Sequence, residues 1–237
     1  MGETLYMNDC YLKEFEATVK SVSNGKYIVL DKTGFYPKSG GQPNDVGFLV
    51  RESDGKQFTV VYAGKFSGEI SHEVAEEGLK EGDNVIGKID WSRRYKLMRM
   101  HTAAHIISAV FHQEVGALIT GNQLDLEKSR IDFSLEEFDR DKIDDYIRKS
   151  NEIVEEDLPI KIYTISRAEA TSDPSLFKLA KGLPEGINEI RIVEIEGFDK
   201  QADGGTHVKS TKEVGKIVFL KAENKGKSNR RVYFKLE

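Results

Sequence analysis

A chain of 237 residues with 35 lysines and arginines against 40 aspartates and glutamates carries a formal net charge of −5, so its overall field does not draw in a polyanion. A single cysteine excludes an internal disulfide framework and points away from a disulfide-linked partner, and no run of about eighteen apolar residues is present to cross a membrane. The opening Met1-Gly-Glu-Thr-Leu-Tyr-Met lacks the basic and apolar stretches of a secretory signal, which leads to the expectation of a cytoplasmic protein with room for two modest domains.

Residues 1–90 read as an all-β domain. Alternating apolar and polar residues predict strands at Glu16–Val22, Tyr27–Asp31, Phe48–Glu52, Gln57–Tyr62 and Asn84–Asp90, with Asn24-Gly25 and Asp54-Gly55 as hairpin turns. Several short strands within about eighty residues predict a small β-barrel. Asp90-Trp-Ser92 marks a junction, with Ser92 as the N-cap of the helix that follows. That helix is placed at 97–112, where Leu97, Met98, Ala104, Ile107, Ala109, Val110 and Phe111 supply apolar positions.

Beyond it, residues 130–134 read as a strand, and Asp139–Asp157 as a helix whose buried stripe is Ile143, Tyr146, Ile147, Ile153 and Val154. Strands are predicted at Pro159–Ser166, Glu189–Glu196, Gly215–Leu220 and Arg231–Leu236. Residues 91–237 therefore form the second domain, an α/β sandwich, and the fold class is α+β.

Two histidine motifs carry the chemistry. In His101-Thr-Ala-Ala-His105 the imidazoles stand at i and i+4 of the predicted helix and project from one face, as two ligands of one metal do. Asp203-Gly-Gly-Thr-His207 lies between strands, where its glycines let the backbone turn sharply behind a third imidazole. The chain has five histidines and these motifs hold three of them; His72 and His112 read as ordinary surface or core histidines. One Zn²⁺ per chain, held by His101, His105, Asp203 and His207, fits the nitrogen and oxygen donors best. Thr102 occupies the position where zinc proteases carry glutamate, which argues against peptide hydrolysis by that route. Ser39-Gly-Gly-Gln42 lacks the Lys-Ser/Thr of a phosphate loop and reads on composition as a turn of the barrel.

Three segments, Thr33-Gly-Phe-Tyr-Pro-Lys-Ser-Gly-Gly-Gln42, Arg94-Tyr-Lys-Leu-Met-Arg-Met-His-Thr-Ala-Ala-His105 and Gly204-Gly-Thr-His207-Val, resemble the free-standing alanyl-tRNA editing proteins of the AlaX family and the editing domain of alanyl-tRNA synthetase. The resemblance implies a trans-editing hydrolase, working without ATP, that removes serine, with glycine as a second substrate, from alanine-specific tRNA. It also implies that Gly40, Gly41 and Gln42 help shape the aminoacyl pocket, and that Thr33, with Gln42 second, meets the serine hydroxyl. Arg93, Arg94, Lys96 and Arg99, with the C-terminal Lys221, Lys225, Lys227, Arg230 and Arg231, are then the groups that hold phosphates of the tRNA acceptor end. Family members commonly carry cysteine four residues before the last histidine; here Asp203 stands there, leaving Asp203, Gln201 or water for the fourth corner of the metal. No residue is assigned as general base. Two other classes stay open: a zinc hydrolase of a small ester or amide, and a non-catalytic tRNA-binding module with structural zinc.

Overall fold

The computed structural model describes residues 2–136, 139–173, 176 and 188–237, and the chain divides into two units, Met1–Leu97 and Met98–Glu237. No helix among the described residues is long and apolar enough to cross a membrane.

The first unit contains β1 (Glu3–Thr4), β2 (Glu14–Ser23), β3 (Tyr27–Leu30), β4 (Lys32–Thr33), β5 (Gly47–Arg51), β6 (Gln57–Phe66), β7 (Glu69–Val74) and β8 (Asn84–Ile89). β1 and β4 pair in parallel, and the other six run in the order β2-β3-β7-β6-β5-β8, closed by the pairing of β8 with β2. The hairpin between β2 and β3 turns on Asn24 and Gly25 at φ 49° and 70°, a twist that suits right-handed strands. Side chains alternate across the pleat, so Phe15, Ala17, Val19, Ile28, Leu30, Leu49, Phe58, Val60, Val74 and Val85 all point into one core. β7 has no counterpart among the predicted strands. Its buried positions are Ile70, His72 and Val74, and the imidazole in the middle interrupts the apolar alternation.

His72 is fully buried. Desolvation lowers its pKa to about 4, against a hydrogen bond to the Ile28 backbone that raises it. The neutral ring donates from Nδ1 to the Ile28 carbonyl at 2.9 Å and accepts the Thr33 hydroxyl at Nε2, 2.8 Å away. Thr33 in turn accepts the Phe35 N–H at 3.1 Å.

The helix α1 (Trp91–Val115) begins in this unit and ends in the second. Its cap is Asp90, not Ser92: the Asp90 carboxylate accepts the Arg93 N–H at 3.1 Å, while Ser92 already lies in the first turn. Arg94 is fully buried opposite the equally buried Asp45. Its Nε lies 3.0 Å from both carboxylate oxygens, Nη2 closes the fork on Oδ2, and the remaining donors reach the carbonyls of Cys10 at 3.0 Å and Gly34 at 2.7 Å. Asp45 Oδ2 also accepts the Tyr36 N–H at 2.6 Å. One guanidinium thus ties together three segments of the first unit that have no regular secondary structure of their own.

The second unit adds β9 (Ile119–Gln123), β10 (Ser129–Phe133), α2 (Arg140–Glu155), β11 (Ile160–Ser166), α3 (Arg167–Ser172), β12 (Glu189–Ile195), β13 (Asp199–Ala202), β14 (Ile217–Asn224) and β15 (Arg230–Leu236). The strands form a four-stranded sheet, β14-β15-β10-β9, and a three-stranded sheet, β11-β12-β13, so the class is α+β as the sequence predicts. α2 starts where Asp139 accepts the N–H groups of Asp141 and Lys142, and buries Ile143, Tyr146, Ile147 and Val154. Phe111 of α1 stacks on Phe133 of β10 at 4.3 Å and meets Tyr146 of α2 edge-on at 4.9 Å, which joins three elements in one core. β12 is buried along Ile190–Val193 and at Ile195, as the central strand of its sheet must be, and the cation Arg191 is buried with its apolar neighbours.

Arg94→Met removes one partner of a fully buried pair and leaves the Asp45 charge uncompensated. Urea denaturation is expected to show a loss of about 3–5 kcal/mol; a loss below about 1 kcal/mol, the range of exposed pairs, would mean that the pair does not organise the first unit.

Candidate metal centre

The predicted i, i+4 geometry holds: His101 and His105 stand side by side on α1, ring centroids 5.0 Å apart. Almost every side chain from Met98 to Phe111 is buried, so these imidazoles lie inside the second unit. The other two groups come from the loop that leaves β13. Asp203 follows the last paired residue and keeps the register for one more step, its N–H donating to the Arg191 carbonyl at 3.1 Å and its carbonyl accepting Arg191 Nη1 at 2.9 Å. The carboxylate then folds back to accept the Gly205 N–H at 2.5 Å, closing an Asx turn. That turn brings His207 back over the helix, its ring 4.3 Å from His101 and 4.5 Å from His105.

Ligand atoms of His101, His105, Asp203 and His207 all lie within 4.8 Å of one another. Asp203 Oδ1 is 3.6 Å from His101 Nε2 and 4.0 Å from His105 Nε2, while Oδ2 is 3.1 Å from His207 Nε2. A tetrahedral ion with bonds of about 2.0–2.1 Å sets neighbouring donors roughly 3.3 Å apart, so these groups can close on one metal with small side-chain shifts. Burial lowers the His101 pKa to about 3, outweighing the attraction of Asp203, and burial also lowers that of His207. Both rings are therefore neutral, as a ligand must be. Burial works to raise the Asp203 carboxyl, but the polar imidazoles of His101, His207 and His105 facing it, with the hydrogen bond it shares with His207, hold it well below the ordinary carboxylate range. The set can hold a metal ion. Gln201, the other polar group considered for the fourth corner, instead donates to Asp199 Oδ2 at 2.8 Å.

Two supporting residues were not foreseen. Thr102 Oγ1 lies 3.1 Å from His207 Nδ1, and Arg191 fixes both backbone groups of Asp203. Neither carries a sequence signal: threonine next to a ligand is common in helices, and arginine in a strand reads as a solvated face.

Residues 190–233, which include β12 to most of β15, match the family model of the threonyl and alanyl tRNA synthetase second additional domain, and residues 6–93 match that of the class II (A) tRNA synthetases. Over its full length the chain is 58% identical to the alanyl-tRNA editing protein AlaX-M of Methanosarcina mazei, covering 97% of that protein. AlaX-M of Saccharolobus solfataricus is 48% identical over 99% of the chain, which covers 98% of it. The chain belongs to the AlaX-M family of alanyl-tRNA editing proteins. It is also 38% identical to an alanine–tRNA ligase of Pyrobaculum aerophilum over 92% of its own length, spanning 25% of the ligase.

The residues that the AlaX resemblance ties to substrate lie in the first unit. Thr33, 4% exposed, already uses its hydroxyl toward His72 and Phe35. Gly40 and Gly41, at φ 55° and 84°, form the exposed corner of a type I′ turn closed by Gln42 N–H on the Ser39 carbonyl at 2.8 Å. Gln42 itself is buried. Among the cations assigned to tRNA, Arg94 must be corrected: with no exposed surface and every donor group engaged inside the first unit, it cannot meet a phosphate. Arg93 Nε donates to the Asn44 carbonyl at 3.0 Å, Arg99 grips the Val214 carbonyl at 2.8 and 3.0 Å, and Lys96 is exposed. On the C-terminal hairpin Arg230 turns inward, Arg231 pairs with Asp132 at 2.7 Å, Lys221 and Lys225 both pair with Glu223, and Lys227 is exposed.

Gly205 packs so closely on the His101 ring that a Cβ there would overlap it. Gly205→Ala is expected to leave the far-UV circular dichroism unchanged and to weaken metal binding at least about tenfold, the range seen when a ligand's support is lost. Wild-type affinity in this variant would show that the loop does not hold His207 and Asp203 against the helix as described.

Proposed function

We propose that the chain is a trans-editing aminoacyl-tRNA deacylase of the cytoplasm that hydrolyses the ester joining serine to tRNA(Ala), with glycyl-tRNA(Ala) as a second substrate. The convergence of His101, His105, Asp203 and His207 within 4.8 Å, in a chain of the AlaX-M family, supports this reading most strongly. The need for such an activity is physical. A pocket sized for alanine cannot strongly reject glycine, which is smaller, or serine, which adds one hydroxyl, so a separate hydrolytic site must remove what passes.

In the reaction water adds to the ester carbonyl carbon, the bond to the ribose oxygen breaks, and that oxygen leaves with a proton, giving free serine and uncharged tRNA. Zinc fits the donor set, and when bound it supplies a Lewis acid to the carbonyl or to water. The chain's own groups do the positioning. Arg191 and the Gly205 N–H hold Asp203 in place, and α1 fixes the spacing of His101 and His105. Within this reading the editing activity belongs to residues 91–237, and Arg93, Lys96 and Arg99 face phosphates of the acceptor end.

Selectivity for serine over alanine requires a group that bonds the serine hydroxyl. Thr33 is that group in this proposal, with Gly40, Gly41 and Gln42 shaping the aminoacyl pocket. Because Thr33 donates to His72 and accepts from Phe35, one acceptor position is left on its oxygen for the substrate. Thr33→Val is expected to lower the ratio of seryl to alanyl ester hydrolysis at least about tenfold. The same change leaves His72 Nε2 and the Phe35 N–H without partners and is expected to cost about 1–3 kcal/mol of stability. An unchanged ratio would remove Thr33 from the pocket.

The function itself is tested by deacylation of seryl- and alanyl-tRNA(Ala) before and after chelation. Seryl-tRNA hydrolysis that is lost on chelation and returns with added Zn²⁺ is the expected outcome. Zinc retained without turnover would point to a structural metal in a binding module, and turnover of a small ester in preference to seryl-tRNA would point to a general hydrolase.

A further inference from the structure

Thr102 is fully buried, follows the first ligand on α1, and belongs to no ligand set. We propose that Thr102 is a positioning residue of the metal centre: its hydroxyl accepts the His207 proton on Nδ1 in the ligating tautomer and so leaves Nε2 free to face a metal shared with His101, His105 and Asp203. The inference rests on the reading of those four groups as a metal site, and it assigns a role to a residue outside them.

The geometry is specific. Thr102 Oγ1 lies 3.1 Å from His207 Nδ1 and accepts the backbone N–H of Val208 at 3.4 Å, so the hydroxyl bridges helix and loop on the far side of the ring from the metal donors. His207 Nε2 has a competing partner in Asp203 Oδ2, 3.1 Å away. Two neutral tautomers are therefore available. With the proton on Nε2 the ring donates to Asp203 and cannot ligate. With the proton on Nδ1 it donates to Thr102, and Nε2 offers its lone pair.

A hydroxyl both donates and accepts, so threonine pairs with either tautomer and lets metal binding shift the proton without stranding a polar group. Valine, the same shape without the oxygen, pairs with neither. It makes the ligating tautomer costly, because Nδ1–H would then be a buried donor without a partner, while the tautomer bonded to Asp203 keeps its hydrogen bond. The β-branched side chain, restricted at χ1 on a helix, fixes the oxygen in place.

The test measures zinc affinity of the full chain by competition with a chromophoric chelator, for wild type, Thr102→Val and Thr102→Ser, with far-UV circular dichroism of each metal-free protein. The valine variant is expected to bind about 10- to 100-fold more weakly, the loss typical when the outer partner of a ligating histidine is removed. The serine variant is expected to keep most of the affinity. Equal affinity of the valine variant and wild type would overturn the proposal, whereas no zinc binding by wild type would overturn the metal site with it. Should the valine variant fail to fold, long-range ¹H–¹⁵N spectra of zinc-loaded wild type decide alone: His207 with Nδ1 protonated and hydrogen-bonded and Nε2 on the metal supports the proposal, and ligation through Nδ1, or an Nδ1 proton exchanging as an unbonded one does, contradicts it.

Discussion

Three imidazoles and a carboxylate share a volume in which every donor atom lies within 4.8 Å of the others, and none of them would stay there unaided. Removing such groups from water is costly, and burial answers that cost by holding His101 and His207 neutral while Asp203 stays ionised. A pocket of neutral nitrogens around a single negative oxygen pair is suited to a dication. The contacts that hold these groups in place are Arg191 on the Asp203 backbone, the Gly205 N–H on the Asp203 carboxylate, Thr102 on His207, and the absence of a Cβ at Gly205 where the loop meets His101. Each leaves a lone pair facing inward. Supporting partners of this kind commonly set a large share of a metal site's affinity.

The first unit is organised by a different buried charge. Arg94 and Asp45 have no exposed surface, and the carbonyls of Cys10 and Gly34 satisfy what the ion pair leaves over. Gly34 and Tyr36 lie in the same Thr-x-Phe-Tyr-Pro segment as Thr33, whose hydroxyl is held by His72 from the barrel wall. The segment that carries the AlaX resemblance is thus pinned from two sides by buried polar groups. Its residues are kept in one conformation by hydrogen bonds that would be costly to leave unmade, a condition for any pocket that must tell one hydroxyl from none.

The helix pair and the loop motif were legible because their signals are local. Histidines at i and i+4 within an apolar helix have one geometric consequence; the loop does turn before His207, but through the Asx turn of Asp203, with neither Gly204 nor Gly205 at positive φ and Gly205 needed for its close approach to His101. The barrel strands next to Asn24-Gly25 and Asp54-Gly55 were legible for the same reason. β7 was not, since its middle core position is His72, an imidazole whose burial depends on partners at Ile28 and Thr33 far away in the chain. That Asp90 rather than Ser92 caps α1 was not legible, because two residues of capping type separated only by Trp91 cannot be ranked without the backbone. The basic cluster before His101 misled at Arg94, whose counter-ion is 49 positions distant, and nothing in its own neighbourhood marks it as buried. Thr102 and Arg191 were invisible for a related reason: their role lies in which atom they face.

That the segments from α1 and the loop after β13 grip one ion is tested most directly by X-ray absorption at the zinc edge of protein loaded with a single equivalent of metal. Three imidazoles and an oxygen donor at about 2.0–2.2 Å, with no sulfur, is the result this account requires. Fewer than three imidazoles, or a sulfur neighbour at about 2.3 Å from the chain's only cysteine, Cys10, would contradict it.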